Sequence, residues 1–149
     1  MTDHCNPIII VEDNATDAEL AQRAIRKWGT QLPIVVIEDG LKAADQLLGD
    51  SRKQIQPLPV PKLLILDINL PGLGGIELLS RLRASARHRH TVVIMVSSSA
   101  EPEDVLNSYR MGCNSYVTKP VDSNTFYSMY AHLAQYWTSI NLTPELQNP

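Results

Sequence analysis

Five short apolar runs, separated by stretches with helical spacing, constrain this chain more than any other feature, and three of them end in charge. IIIVED (Ile8–Asp13), LLILD (Leu63–Asp67) and YVTKP (Tyr116–Pro120) each pass from an apolar segment into an acid or a lysine. A strand reads as a continuous apolar run when both its faces are buried, as in a parallel sheet covered by helices. At the carboxyl ends of neighbouring strands in such a sheet, side chains project into one crevice. Glu12, Asp13, Asp67 and Lys119 are therefore expected to converge. Crowded carboxylates repel one another unless a cation sits between them, and an all-oxygen donor set suits a hard ion such as Mg²⁺. That is the outline of a phosphoryl-transfer site.

The rest of the chain fills in the alternation. Ile8–Val11 is a strand, and Asn14–Trp28 a helix with Leu20, Ala21, Ala24, Ile25 and Trp28 at helical spacing, stopped by Gly29. Pro33–Ile37 is a second strand and Leu41–Leu48 a short helix. Asp50–Lys62, polar and carrying Pro57, Pro59 and Pro61, reads as an extended loop. Leu63–Leu66 is the third strand; Pro71-Gly72 and Gly74-Gly75 make a turn before the helix Ile76–Ala84. Val92–Val96 and Glu101–Met111 form the fourth pair, with Pro102 suited to a first turn and Gly112 to a stop. Ser115–Val117 is the fifth strand, and Asp122 caps a last helix ending near Trp137. The order predicts an α/β fold, a doubly wound parallel sheet with right-handed crossovers and helices on both faces.

Composition narrows the function classes. A net charge of −3 over 149 residues, with no Lys/Arg-rich run, argues against nucleic acid as a partner. Arg81, Arg83, Arg87 and Arg89, clustered with His88 and His90, read as the solvated cationic end of a helix. Cys5 and Cys113 are too few to staple a fold and are expected as reduced thiols. MTDHCNP has neither a basic nor a long apolar stretch, so it is no signal peptide. No apolar run approaches the roughly 20 residues needed to span a bilayer. With a mean hydropathy of −0.13, the expectation is a soluble cytoplasmic protein without membrane partners. The four histidines show no metal-ligand spacing.

Any one of these acids alone would more often be a loop residue or a helix cap, and Asp13 could cap the first helix. Their joint occurrence with a hydroxyl ending the fourth strand and Lys-Pro ending the fifth changes the odds. The segments VEDN (Val11–Asn14), LDINLPGLGG (Leu66–Gly75), MVSSSA (Met95–Ala100) and GCNSYVTKP (Gly112–Pro120) resemble the receiver domains of two-component response regulators, over roughly Ile8 to Trp137.

The resemblance implies a five-stranded, flavodoxin-like sheet of order 2-1-3-4-5 flanked by five helices. It implies that Asp67 is the phosphoacceptor for a sensor histidine kinase. Glu12 and Asp13 would be the acidic pair holding Mg²⁺, completed by Asp67 and the backbone carbonyl of Asn69. Lys119 would supply a second positive charge, with a cis peptide before Pro120. Ser97 would be the switch hydroxyl and Tyr116 the switch aromatic, although Tyr116 reads equally well as strand packing. Charge spreads over the equatorial oxygens of a transferring phosphoryl group, so cation placement dominates such catalysis. In the family, the positions held here by Asn69 and Ser99 tune acyl-phosphate lifetime.

Three departures stand out: Glu12 replaces the commoner Asp, Gly74 stands where many relatives carry Asp before the turn glycine, and the Asp50–Lys62 loop is long. The implied layout is a tail over 1–7, a receiver domain over 8–138 and a tail over 139–149, without an output domain. That loop, the VEDN start and the ending YWTSINLTPE look like the small response regulators paired with phytochromes. Some of those self-associate through the fourth and fifth helices and fifth strand. Phe126, Tyr127, Tyr130, Tyr136 and Trp137 would supply apolar surface there, with Tyr127 and Tyr136, off the inward stripe, the better candidates.

Two other functions compete. A phosphohydrolase using an aspartyl-phosphate intermediate, of the haloacid-dehalogenase type, needs a second acid two residues after its nucleophile; this chain has Asn69 there. A pseudo-receiver acting purely as an interaction module would typically have lost the acceptor, an acid or the lysine, and all are present. The chain is thus expected to be a stoichiometric phosphoacceptor rather than a turnover enzyme.

Overall fold

In the computed structural model, which describes residues 6–144, each expected strand and helix forms within a residue or two of its predicted limits. The order is β1 (Ile8–Val11), α1 (Ala15–Trp28), β2 (Ile34–Ile37), α2 (Gly40–Leu48), β3 (Leu63–Leu66), α3 (Gly75–Ala84), β4 (Val93–Ser97), α4 (Pro102–Met111), β5 (Ser115–Thr118) and α5 (Ser123–Gln135). The five strands are parallel and lie in the order β2-β1-β3-β4-β5.

Alternation along the strands divides the core in two. Ile9, Val11, Leu64, Leu66, Val93 and Met95 face α2 and α3, packing on Leu47, Leu78, Leu79 and Leu82. Ile8, Ile10, Leu63, Ile65, Ile94 and Val96 face α1 and α5, packing on Ala21, Ala24, Ile25, Phe126, Tyr130 and Ala134. The side-chain period of two along a strand thus supplies both layers from the same apolar runs. α1 and α4 stop at Gly29 and Gly112, both in the left-handed region (φ 104° and 99°).

The register sets the site. Val11 pairs with both Ile37 and Leu66, so Glu12 and Asp67 leave the sheet side by side. Ser97 pairs with Thr118, and Lys119 N–H donates to the Ser97 carbonyl at 2.8 Å, so Lys119 emerges at the same edge. Behind Asp67, α3 approaches so closely that a Cβ at Gly75 would lie 2.0 Å from the Asp67 carbonyl oxygen. Only glycine fits there. Gly74, by contrast, has ordinary extended backbone (φ −63°, ψ 154°) and serves as an N-cap with no side chain to fill the role.

Several expectations need correction. No peptide bond among the described residues is cis, so Lys119–Pro120 is trans, the lower-energy isomer of an X–Pro bond. The β5 ladder and the carboxylates around its Nζ fix Lys119 without the cis isomer. The Asp50–Lys62 segment is less open than expected: Asp50 and Ile55 exchange backbone hydrogen bonds of 3.0 and 2.9 Å, and Val60 is buried. The last α-helix ends at Gln135, two residues short of Trp137, and a π-helical turn follows it over Tyr136–Ile140. There Thr138 and Ser139 hydroxyls bond the carbonyls of Ala134 and Gln135, competing with the α-helical ladder.

The basic cluster is not simply a solvated helix end. Arg83 donates to the carbonyls of Gly112 (2.9 Å) and His88 (2.8 Å) and to Asn114 Oδ1 (3.1 Å). Arg87 donates to the Leu58 carbonyl, and His88 is fully buried. Of the aromatics on α5, Phe126 and Tyr130 are buried and Tyr136 is exposed. Tyr127 turns toward α1, its hydroxyl 3.4 Å from the Arg23 carbonyl and its ring under Lys27. Cys113 is a buried free thiol, whereas Cys5 lies outside the described residues. Among the described residues, no helix is long and apolar enough to cross a membrane.

Candidate functional site

Glu12, Asp13, Asp67 and Lys119 meet at the carboxyl edge of the sheet. Each acid offers one oxygen, and the three oxygens lie within 4.8 Å of one another. Glu12 and Asp67 are buried, while Asp13 is exposed at the rim. Asp13 does not cap α1; Asn14 does, its Oδ1 accepting from Asp17 N–H at 3.0 Å. That leaves the Asp13 carboxylate for the site.

Lys119 Nζ donates to Glu12 Oε1 at 2.6 Å, to Asp67 Oδ2 at 2.9 Å and to Asp17 Oδ2 at 3.1 Å. Asp67 Oδ1 accepts from the backbone N–H of Asn69 at 3.0 Å. Asn69 therefore orients the Asp67 carboxylate through its backbone amide. Burial first, then the hydrogen bond and charge of Asp67, push Glu12 up to about 8, against the lowering influence of Lys119. Burial acts to lower the Lys119 value, but its bonds to Glu12 and Asp67 outweigh that and raise it. One ammonium does not balance the buried acids.

Glu12 Oε2 is buried and has no hydrogen-bond partner. An unpaired buried carboxylate oxygen is costly. It lies in a cluster of hard oxygen donors, so the residues present fit a small divalent cation. The acids can form a metal site in which Glu12, longer by one methylene than Asp, still brings an oxygen into the group.

Ser97 ends β4 fully buried, and its Oγ accepts from Ser99 N–H at 3.1 Å. The carbonyl of Ser99 accepts from Tyr116 Oη at 2.7 Å, and its side-chain hydroxyl donates to Asp104 at 2.5 Å. Tyr116 is half-buried against the core, so it packs and also bonds this loop. The two expected switch residues thus hold opposite sides of one peptide segment.

Asp17 was not singled out from the sequence. An acid in a first helical turn complements the helix dipole, and that ordinary role conceals its contact with Lys119. A cavity of about 270 Å³ opens beside it, lined also by Ser98, Lys119, Pro120 and Val121. A larger cavity, about 480 Å³, lies at the opposite edge of the sheet among Trp28, Thr30, Lys62 and Thr143, and none of the acids lines it.

An open α/β sheet with this acidic edge, a buried hydroxyl and a lysine defines a receiver, and residues 8–131 match the response regulator receiver domain model. The chain belongs to that family. It is 28% identical over 140 residues to the response regulator Rcp1 of Synechocystis sp., covering 92% of this chain and 94% of the relative. The Mn(2+)-bound form of Rcp1 superposes with a TM-score of 0.84 at 25% identity, covering 94% of this chain and 99% of that one. The phosphorylated cyanobacterial phytochrome response regulator RcpA gives 0.83 at 26% identity over the same shares.

Proposed function

We propose that this chain is a phosphoacceptor of a two-component relay, taking a phosphoryl group from a sensor histidine kinase onto Asp67 in the presence of Mg²⁺. The observation that carries the reading is the arrangement around Asp67: a buried carboxylate, bonded by Lys119, beside a Glu12 oxygen that lacks a partner. In the step, an Asp67 oxygen attacks phosphorus as the P–N bond of the donor phosphohistidine breaks. The electron pair leaves on the imidazole nitrogen, and an acyl phosphate forms. Glu12, Asp13, Asp67 and the Asn69 carbonyl would hold the Mg²⁺, which offsets charge on the phosphoryl oxygens. Lys119 supplies the second cation, and the Asn69 N–H holds Asp67 in line.

Ser97 Oγ is the group to receive a phosphoryl oxygen. Turning to do so releases Ser99 N–H, and Tyr116 is bonded to the carbonyl of that same residue. This two-contact segment is the element that modification biases. Hydrolysis of the acyl phosphate by water, assisted by the same residues, returns Asp67 to its carboxylate.

The name of RcpA, a phytochrome response regulator, favours a phytochrome-type kinase as the upstream partner, and membership of the receiver family goes with a cytoplasmic setting. Exposed Leu106 and Tyr109 on α4, with Tyr136 beyond α5, support a homodimer through the α4-β5-α5 face. The layout 1–7, 8–138 and 139–149 goes with this reading.

Intact-mass spectrometry after incubation with acetyl phosphate and Mg²⁺ tests it. Wild type is expected to gain one phosphoryl group and Asp67→Asn none. A wild type that gains nothing from acetyl phosphate, phosphoramidate or a histidine kinase, and binds no Mg²⁺, sinks it.

A further inference from the structure

Lys119 is shared among three carboxylates, and one of them belongs neither to the acceptor nor to the acidic trio. An ammonium has three protons, so the contacts to Glu12, Asp67 and Asp17 use every donor it has. Asp17 stands in the first turn of α1, anchored through its own backbone N–H by Asn14. Its carboxylate is partly exposed, with 28% of the side chain open to solvent, against 3% for Glu12 and 9% for Asp67.

A divalent cation entering among Glu12, Asp13 and Asp67 meets Lys119 as a like charge. It also draws on the two buried carboxylates that balance the ammonium. Asp17 is the acid that neutralises Lys119 without being shared. Resting on the phosphoacceptor reading, we propose that Asp17 is a positioning residue, holding the Lys119 ammonium beside Asp67 while Mg²⁺ takes up the buried acids. Asp17 and Lys119 both line the cavity of about 270 Å³, so the pair borders open space rather than the packed core. Merely complementing the dipole of α1 would need no contact with Lys119.

Isothermal titration with Mg²⁺ across wild type, Asp17→Asn, Lys119→Met and the double variant tests the assignment. With Lys119 present, Asp17→Asn is expected to weaken Mg²⁺ binding about five-fold, the size of a part-exposed ion pair. With Lys119→Met, the same change is expected to cost less than about two-fold, because the cycle isolates the pair. Equal losses in both backgrounds would mean that only the distant charge of Asp17 acts, and would overturn the assignment, as would unchanged affinity. At saturating Mg²⁺, Asp17→Asn is also expected to slow acetyl-phosphate labelling, with partial rescue by Asp17→Glu. Asp17→Ser carries the same comparison if the amide variant does not fold. A wild type that takes no phosphate rejects the phosphoacceptor reading; a wild type that does, with Asp17→Asn indistinguishable from it, rejects Asp17 alone.

Discussion

The two ends of the sheet handle charge in opposite ways. At the amino-terminal edge, basic side chains act as staples: Arg83 ties α3 to the turns at Gly112 and His88, and buried, neutral His88 bridges Leu47 and Thr91. Its Nε2–H donates to the Leu47 carbonyl at 2.7 Å, leaving Nδ1 to accept from the Thr91 hydroxyl at 3.1 Å. The partners are neutral backbone and side-chain oxygens. At the carboxyl edge, one ammonium faces three acids, and a buried Glu12 oxygen goes without a partner. One orphan exists at the other end too, Arg87 Nε; each orphan has a bonded partner atom in its own group, but only Glu12 Oε2 lies in a cluster of acids. Paired polar groups fix a structure; groups left short of partners hold capacity for a ligand.

Opposite pH responses give the largest break of that comparison. Glu12 is raised from 4.5 to about 8 in the fold, so its proton favours the folded state. That contribution is full below 4.5 and is lost as pH rises to about 8. Without metal, stability is expected to fall over that window by on the order of 3 kcal/mol. Urea titrations at several pH values should show the slope, and Glu12→Gln should flatten it. Mg²⁺ should oppose it by stabilising the ionised form.

Cutting the staples comes next. Arg83→Ala leaves carbonyls of Gly112 and His88 without their donor, and about 2 kcal/mol of stability should go, by the same denaturation. Phosphate uptake at saturating Mg²⁺ should stay near wild type, since Arg83 does not touch the acidic edge.

His88 runs the other way from Glu12. Burial, first of all, holds its value below the ordinary 6.5, so the unfolded chain binds a proton that the fold refuses. Its stabilisation is full above 6.5 and is lost as pH falls below it. Stability should fall on that acid limb by less than over the Glu12 window, and His88→Gln should remove the limb's dependence on pH. If Glu12→Gln flattened both limbs, the two ends would not be independent.

The smallest effect sharpens the picture beside Asp67. Gly74 caps α3 in an extended conformation with no side-chain bond, and an added Cβ would meet the nearest atom at 3.8 Å. Gly74→Ser should raise stability by about 0.5 kcal/mol, by capping the helix and restricting the unfolded chain. Thermal melts would show it.

Much of this was legible in the sequence because the relevant information is local. Apolar runs marked the strands, and residues at their carboxyl ends had to share an edge once the sheet was parallel. Glu12, Asp67 and Lys119 come together for that reason alone. What stayed hidden depends on distant partners. Arg83 and His88 look like a wet helix end until residues near Gly112 and Leu47 are brought against them. Asp17 looks like a dipole complement until Lys119 arrives from the far end of the chain. The π-helical turn after α5 follows from hydroxyls choosing carbonyls over water, a choice that apolar periodicity does not register.

The approach of α3 to Asp67 has a mechanical consequence. With Gly75 packed where no side chain fits, the backbone at Asp67 and the start of α3 behave as one anvil. On the phosphoacceptor reading, a phosphoryl group on Asp67 would meet resistance on that side and leave the loop of Ser97–Ser99, bonded to Tyr116, as the side free to yield. A methyl group at Gly75 would wedge the anvil open by more than an ångström, and the push from the acceptor would then dissipate into α3 instead of reaching Tyr116.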